Sequence, residues 1–123
     1  MKNDKYKKSA INTIDLQVSA LRDLKKSIGS SFNKAVKVIG DCQSKCILVG
    51  VGKSGHLASL IASSLSSIGA SSFALPSAAD AVHGDLGAIS YSPKKDVVIL
   101  ISNSGSSSEL GPIISYCKKH KNI

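Results

Sequence analysis

The side chains able to do chemistry crowd into two short strings. Gly50-Val51-Gly52-Lys53-Ser54-Gly55 offers three glycines, a lysine and a hydroxyl, and Ser102-Asn103-Ser104-Gly105-Ser106-Ser107-Ser108-Glu109 offers five serines, an asparagine and a carboxylate. Glycines let a backbone approach an anion, and small donors at the start of a helix suit phosphate oxygens. Alone, the second string reads equally well as a serine-rich connector ending in a helix cap, with Glu109 a carboxylate favoured by the helix dipole. Two such loops at one edge of a sheet point to a phosphate or another polar ligand.

The first string matches the dinucleotide fingerprint G-x-G-x-x-G. A nicotinamide site also wants an acid about 20 residues on, at the end of the second strand. Leu75-Pro76-Ser77 stands there, and Asp80 lies beyond the strand. The nucleotide P-loop fails as well, because Ile47 occupies the position of its first glycine. No redox cofactor is expected.

These loops need strands before them and helices after them. Cys46-Ile47-Leu48-Val49 is a short apolar run of the kind found in a buried parallel strand. A helix is expected to open at His56, turn Leu57, Leu60, Ile61, Leu65 and Ile68 inward, and end at Gly69. Ser72–Leu75 reads as a second strand, a partly helical stretch leads to Gly87, and Asp96–Ile101 is the clearest strand. A last helix carries Leu110, Ile113, Ile114 and Cys117, with Glu109 just inside it. Ahead of all this, residues 8–28 place Ile11, Ile14, Val18, Leu21 and Ile28 at helical spacing, and Gly29 is placed to stop that helix. Ser31 is the expected cap of a second helix carrying Phe32, Ala35, Val36 and Ile39. The alternation predicts an α/β fold, a doubly wound parallel sheet whose ligand lies past the carboxyl ends of the strands. Residues 1–40 form a helical lead-in and 41–123 the binding domain. Asn122-Ile123 reads as the start of a further strand, so the sheet is expected to be incomplete at the C-terminus.

Composition narrows the partners. The formal net charge is +8, but Arg22 is the one arginine among sixteen basic residues, and lysines crowd at both ends. Nucleic-acid readers favour arginine for bidentate contacts, so a solvated lysine face is the reading and no nucleic-acid partner is expected. No apolar run is long enough to span a bilayer and no secretory signal opens the chain, so a cytoplasmic protein without a membrane partner is expected. Cys42, Cys46 and Cys117 have neither zinc spacing nor a disulfide framework and read as free or buried thiols.

Three stretches together resemble the sugar isomerase (SIS) domain family, and within it the arabinose 5-phosphate isomerases. They are Gly50–His56, Ala81-Val82-His83-Gly84-Asp85-Leu86-Gly87 and Ile101–Leu110. The resemblance covers residues 8–123 and corresponds to the front part of such a domain. It implies a three-layer, flavodoxin-like α/β/α fold and interconversion of D-ribulose 5-phosphate with D-arabinose 5-phosphate, feeding synthesis of the sugar acid Kdo for lipopolysaccharide or capsule. It implies that Ser102, Asn103, Ser104, Gly105, Ser106, Ser107 and Ser108 take the phosphate end of the substrate. Lys53 would stabilise the enediolate oxygen in a dry site, Glu109 would move the proton between C1 and C2, and His83 would bind substrate or assist ring opening. Gly52, Ser54, Gly69 and Ala70 complete the implied substrate contacts. A homo-oligomer, dimer or tetramer, is implied too.

Two departures limit what carries over. The histidine that the family uses for metal corresponds here to Ser77, beside Pro76, so no metal site is expected. The family's remaining functional Glu and His, and the CBS domains of longer members, lie outside this sequence, so these residues alone are not expected to make a competent enzyme. The alternatives are a SIS module that binds a phosphosugar without turnover and an inactive remnant. A SIS transcription regulator is disfavoured, because the first 40 residues lack a basic recognition helix.

Overall fold

A computed structural model describes residues 2–76 and 85–122. His83, Gly84 and Ser77 lie outside the described residues. The chain divides into two units, Met1–Val36 and Lys37–Ile123.

The first unit holds α1 (Lys2–Ser27) and most of α2 (Ser30–Gly40). α1 begins six residues earlier than the apolar spacing suggested. Gly29 does interrupt the helices, but Ser31 is not the cap. Helix α2 starts at Ser30, and the Gly29 carbonyl accepts its first bonds from Phe32 N at 3.1 Å and Asn33 N at 3.4 Å. Ile14, Leu21, Ile28 and Phe32 are all more than half exposed, so the apolar stripe of this unit stays open among the described residues.

The second unit is built on a parallel sheet of β1 (Cys46–Gly50), β2 (Ser72–Ala74) and β3 (Val97–Ile101), in the order β2-β1-β3. Helix α3 (Lys53–Ser67) joins β1 to β2, and α4 (Gly111–His120) follows β3 after a single 3-10 turn, Ser108–Leu110. A second 3-10 turn spans Asp85–Ala88. Strand β1 is central and buried along its whole length, which is why it reads as an unbroken apolar run.

Alternation along the strands sorts the core into two layers. Ile47, Val49 and Leu75 face Ile89, Leu110 and Ile113, with Tyr116 and Cys117 of α4 packed on them. Cys46, Leu48 and Val97 face Ala58 and Ala62 of α3, with Ile61, Leu65 and the end of α2 around them. Helices therefore cover both sides of the sheet, as a doubly wound fold requires. Ile47, Leu48 and Val49 are fully buried, which stabilises the fold by about 1.5–3 kcal/mol for each side chain.

Several inward positions differ from the periodicity. Leu57 and Leu60 of α3 and Ile68, its C-cap, are exposed, and the helix rests on Ala58 and Ala62. The reason is close approach: small side chains let α3 settle directly onto β1, and the bulky residues turn away. Helix α3 also begins at Lys53, three residues before His56. On α4, Ile114 is 37% exposed while Ile113 is buried. Asn122 does not start a strand. Lys121 adopts φ 55°, which turns the chain back. The Asn122 amide then donates to the carbonyls of Ser90 (2.8 Å) and Asp96 (3.2 Å).

Candidate phosphosugar site

The register brings the two loops together. Gly50, the last residue of β1, pairs with Ile101, the last residue of β3. The loops that follow thus leave neighbouring strands, roughly 4.8 Å apart, at one carboxyl edge. That is the ligand-binding edge of an open parallel sheet.

The three glycines of the first loop do different work. A Cβ on Gly50 would lie 2.4 Å from the Ser54 carbonyl carbon and oxygen and 2.7 Å from Gly55 N. One on Gly55 would lie 3.0 Å from Gly50 O. These two glycines let helix and strand touch, whereas Gly52 meets nothing within 4 Å and instead supplies the turn, at φ +57°. Gly52 is the N-cap of α3, with no side-chain cap and no acidic residue in the first turn. The positive end of the helix dipole is left uncompensated beside the second loop, which favours an anion. Lys53 is the first residue of this helix and is exposed, and Ser54 is half-buried one residue on.

The serine loop is tied by its own hydroxyls. Gly105 N donates to Ser102 Oγ at 3.0 Å, and Ser106 N donates to Ser104 Oγ at 3.2 Å. Ser102 and Ser107 share a hydrogen bond of 3.1 Å between their hydroxyls. Gly105, at φ +69°, makes the turn that permits these bonds. A hydroxyl that accepts a backbone N–H keeps its own O–H to donate, so Ser104 is fixed in place and still able to bind an anion. Asn103 and Ser106 are exposed on the same loop. Ser108 has another partner: its hydroxyl donates to Glu109 Oε2 at 3.3 Å. Glu109 lies in the 3-10 turn ahead of α4, not inside the α-helix, and is exposed. Lys53 and Glu109 both face solvent, so the described residues do not form the dry site expected around the lysine.

Gly69 and Ala70 fall elsewhere. They precede β2, and Ser71 O accepts Cys46 N at 2.9 Å, at the start of β1. Within this chain that is the amino edge of the sheet, roughly 13 Å along β1 from the two loops. The fold does not bring them to the other contacts.

Sequence reading missed a polar anchor at that same edge. Asp96 is fully buried and pairs with Lys45 Nζ at 2.8 Å. It also accepts hydrogen bonds from Ser44 Oγ (2.6 Å), Lys45 N (3.3 Å) and Ser90 N (2.6 Å). Burial pushes its carboxyl upward, but the hydrogen bonds from Lys45, Ser44 and Ser90 and the lysine's charge outweigh that and hold it below the ordinary 3.8. The available signal was a charged residue directly ahead of each of two paired apolar runs, Lys45 before β1 and Asp96 before β3. Among the described residues, no group of histidine, cysteine and carboxylate side chains could hold a metal ion, and no helix is long and apolar enough to cross a membrane.

The SIS domain family model matches residues 41–123, the segment that carries the sheet and both loops. The chain belongs to the SIS domain family. It is 43% identical over 112 residues to an uncharacterised protein of Rickettsia prowazekii, covering 91% of this chain and 34% of that protein. It is 40% identical over 111 residues to the arabinose 5-phosphate isomerase KdsD of Pseudomonas aeruginosa, covering 90% of this chain and 33% of that enzyme. The chain thus spans about a third of the length of these curated relatives. Among solved structures, a protein of Escherichia coli CFT073 in complex with arabinose 5-phosphate superposes with a TM-score of 0.88 at 37% identity. That match covers 99% of this chain and 63% of the other.

Proposed function

We propose that this chain is the phosphosugar-binding part of an aldose–ketose isomerase that interconverts D-ribulose 5-phosphate and D-arabinose 5-phosphate, in the cytoplasm and in the service of Kdo, lipopolysaccharide or capsule synthesis. The observation that carries this reading is the pairing of Gly50 with Ile101, which sets a self-tied serine loop beside an uncapped helix N-terminus. The relatives named arabinose 5-phosphate isomerase, and the neighbour solved with that sugar phosphate, support the choice of sugar.

In this reading Ser102, Ser104 and Ser107 hold the phosphate together with the α3 N-terminus, which fixes the far end of an open-chain sugar. Isomerisation moves one hydrogen as a proton between C1 and C2 through an enediolate, so no net oxidation occurs and no redox cofactor is called for. Glu109 carries the proton, and Lys53 stabilises the enediolate oxygen. His83 contacts the sugar. Ser108 keeps the Glu109 carboxylate oriented and is not part of the phosphate set.

Lys53 and Glu109 are exposed among the described residues, and in this reading a second copy of the chain helps to close the catalytic half of the site. The open apolar stripe of α1 and α2 supports a homo-oligomer. Light scattering should give a mass above that of one chain, and a monomer at high concentration would remove this element.

The test is titration with arabinose 5-phosphate, followed by amide chemical shifts and by conversion to ribulose 5-phosphate. Shifts confined to residues 52–55, His83 and 102–109 with turnover support the isomerase. The same shifts without turnover support a module that binds phosphosugar without converting it, which the exposure of Lys53 and Glu109 also fits. Where turnover is present, Glu109→Gln should lower it by about 10²-fold or more with binding retained; equal turnover ends its catalytic assignment.

A further inference from the structure

Two reactive groups outside the phosphosugar site are brought together by the fold. Cys42 is half-buried in the turn after α2, and Cys46 opens β1 and is buried. Both lie on the α3 side of the sheet, where Cys42 packs against the cluster that contains Cys46, Leu48, Ala58 and Ala62. Cys42 Sγ donates to the Lys45 carbonyl at 3.5 Å, the peptide group that leads directly into Cys46. Cys117 packs on the opposite layer, with the sheet between, so it cannot join them within one chain.

The residues between the pair matter. Gln43, Ser44 and Lys45 are the whole intervening segment, and Ser44 and Lys45 supply the hydroxyl, the amide and the ammonium that hold Asp96. Lys45 O also accepts Val97 N at 3.1 Å, the first bond of β3. A covalent link across this segment would clamp the start of β3 onto the start of β1.

We propose that Cys42 and Cys46 are a dithiol–disulfide pair, oxidised by a low-molecular-weight disulfide, whose closure tightens the Asp96 clamp. The half-buried Cys42 is the entry point. Burial, together with the neighbouring Cys42, pushes the Cys46 thiol up to about 11, so it resists direct attack on an external disulfide. Cys42 as thiolate attacks one sulfur of the external disulfide, forming a mixed disulfide and expelling one thiolate, which takes up a proton. Cys46, giving up its proton, attacks Cys42 Sγ, forms the Cys42–Cys46 bond and expels the second thiolate. Two protein thiols are oxidised and one disulfide is reduced to two thiols, with no other reactant.

The experiment equilibrates the whole chain in reduced and oxidised glutathione at a series of ratios. It then quenches with acid and alkylating agent and maps peptides by mass. A Cys42–Cys46 disulfide with Cys117 still alkylated is the expected result, abolished in Cys42→Ser and intact in Cys117→Ser. A stable mixed disulfide on Cys42, or alkylation of both thiols at every ratio, overturns the proposal. Amide hydrogen exchange on the unsubstituted chain adds a second readout: Val97 N–H should exchange at least tenfold more slowly when oxidised, and unchanged exchange overturns the coupling to the clamp. Neither readout depends on the phosphosugar reading.

Discussion

Replacing Gly50 by alanine should damage the fold and the site together. The added Cβ would sit 2.4 Å from two backbone atoms of Ser54 and 2.7 Å from Gly55 N, where ordinary contact begins at 3.4 Å. Relief needs a shift of roughly 1 Å, and it cannot come from a rotating side chain, because every clashing atom is backbone. Strand β1 cannot retreat, since Val49 and Leu48 are fully buried on its two faces. The start of α3 must therefore lift, carrying Lys53 and Ser54 with it. Overpacking of this kind costs about 1–3 kcal/mol, and the rigid neighbours place it at the upper end, near ~3 kcal/mol. A displacement of about 1 Å in the groups that hold a substrate is worth about 10²-fold in rate. Gly52→Ala is the control. It meets no atom within 4 Å, but φ +57° and ψ −123° strain any residue with a Cβ, at about 1–3 kcal/mol. Urea unfolding followed by circular dichroism ranks the two variants, and calorimetric titration with arabinose 5-phosphate reads the site. If Gly50→Ala unfolds within about 0.5 kcal/mol of the unsubstituted chain, the contact between β1 and α3 is not the reason for that glycine.

Asp96→Asn should lose about 3 kcal/mol, since it strips the charge from a buried pair and leaves Lys45 without its counterion; urea midpoints at neutral pH check this. The folded carboxyl is held below its ordinary value, so as pH falls the unfolded chain takes up the proton first. The stabilisation is thus complete above the unfolded carboxyl's value and drains away as pH drops through the folded one. A pH series of urea melts should show that acid limb flattened in Asp96→Asn, and an unchanged limb removes Asp96 as its source. Ser104→Ala should weaken arabinose 5-phosphate binding by about 1–3 kcal/mol, through the lost phosphate donor and the orphaned Ser106 N–H. Equal affinity by calorimetry takes Ser104 out of the site.

The sequence by itself determined the class of fold and the place of the two loops. Strand β1 could be read because a central parallel strand is buried on both faces and must be apolar throughout, and both loops follow such runs. The serine loop was legible as well, since its hydroxyl density needs no long-range partner to be noticed. Tertiary structure decided the rest. Which face of α3 turns inward depended on how closely the helix could approach β1, so Gly55, Ala58 and Ala62 won over Leu57, Leu60 and Ile68, against the pull of hydrophobic periodicity. The adjacency of the loops came from strand order, which put β3 beside β1 and so Gly50 beside Ile101. Gly69 and Ala70 lie at the other edge because they precede β2, which runs parallel to β1. The Asp96 anchor joins Ser44, Lys45 and Asn122 across wide gaps in the chain, and the charges ahead of β1 and β3 become a pair only when strand pairing brings them within hydrogen-bonding distance.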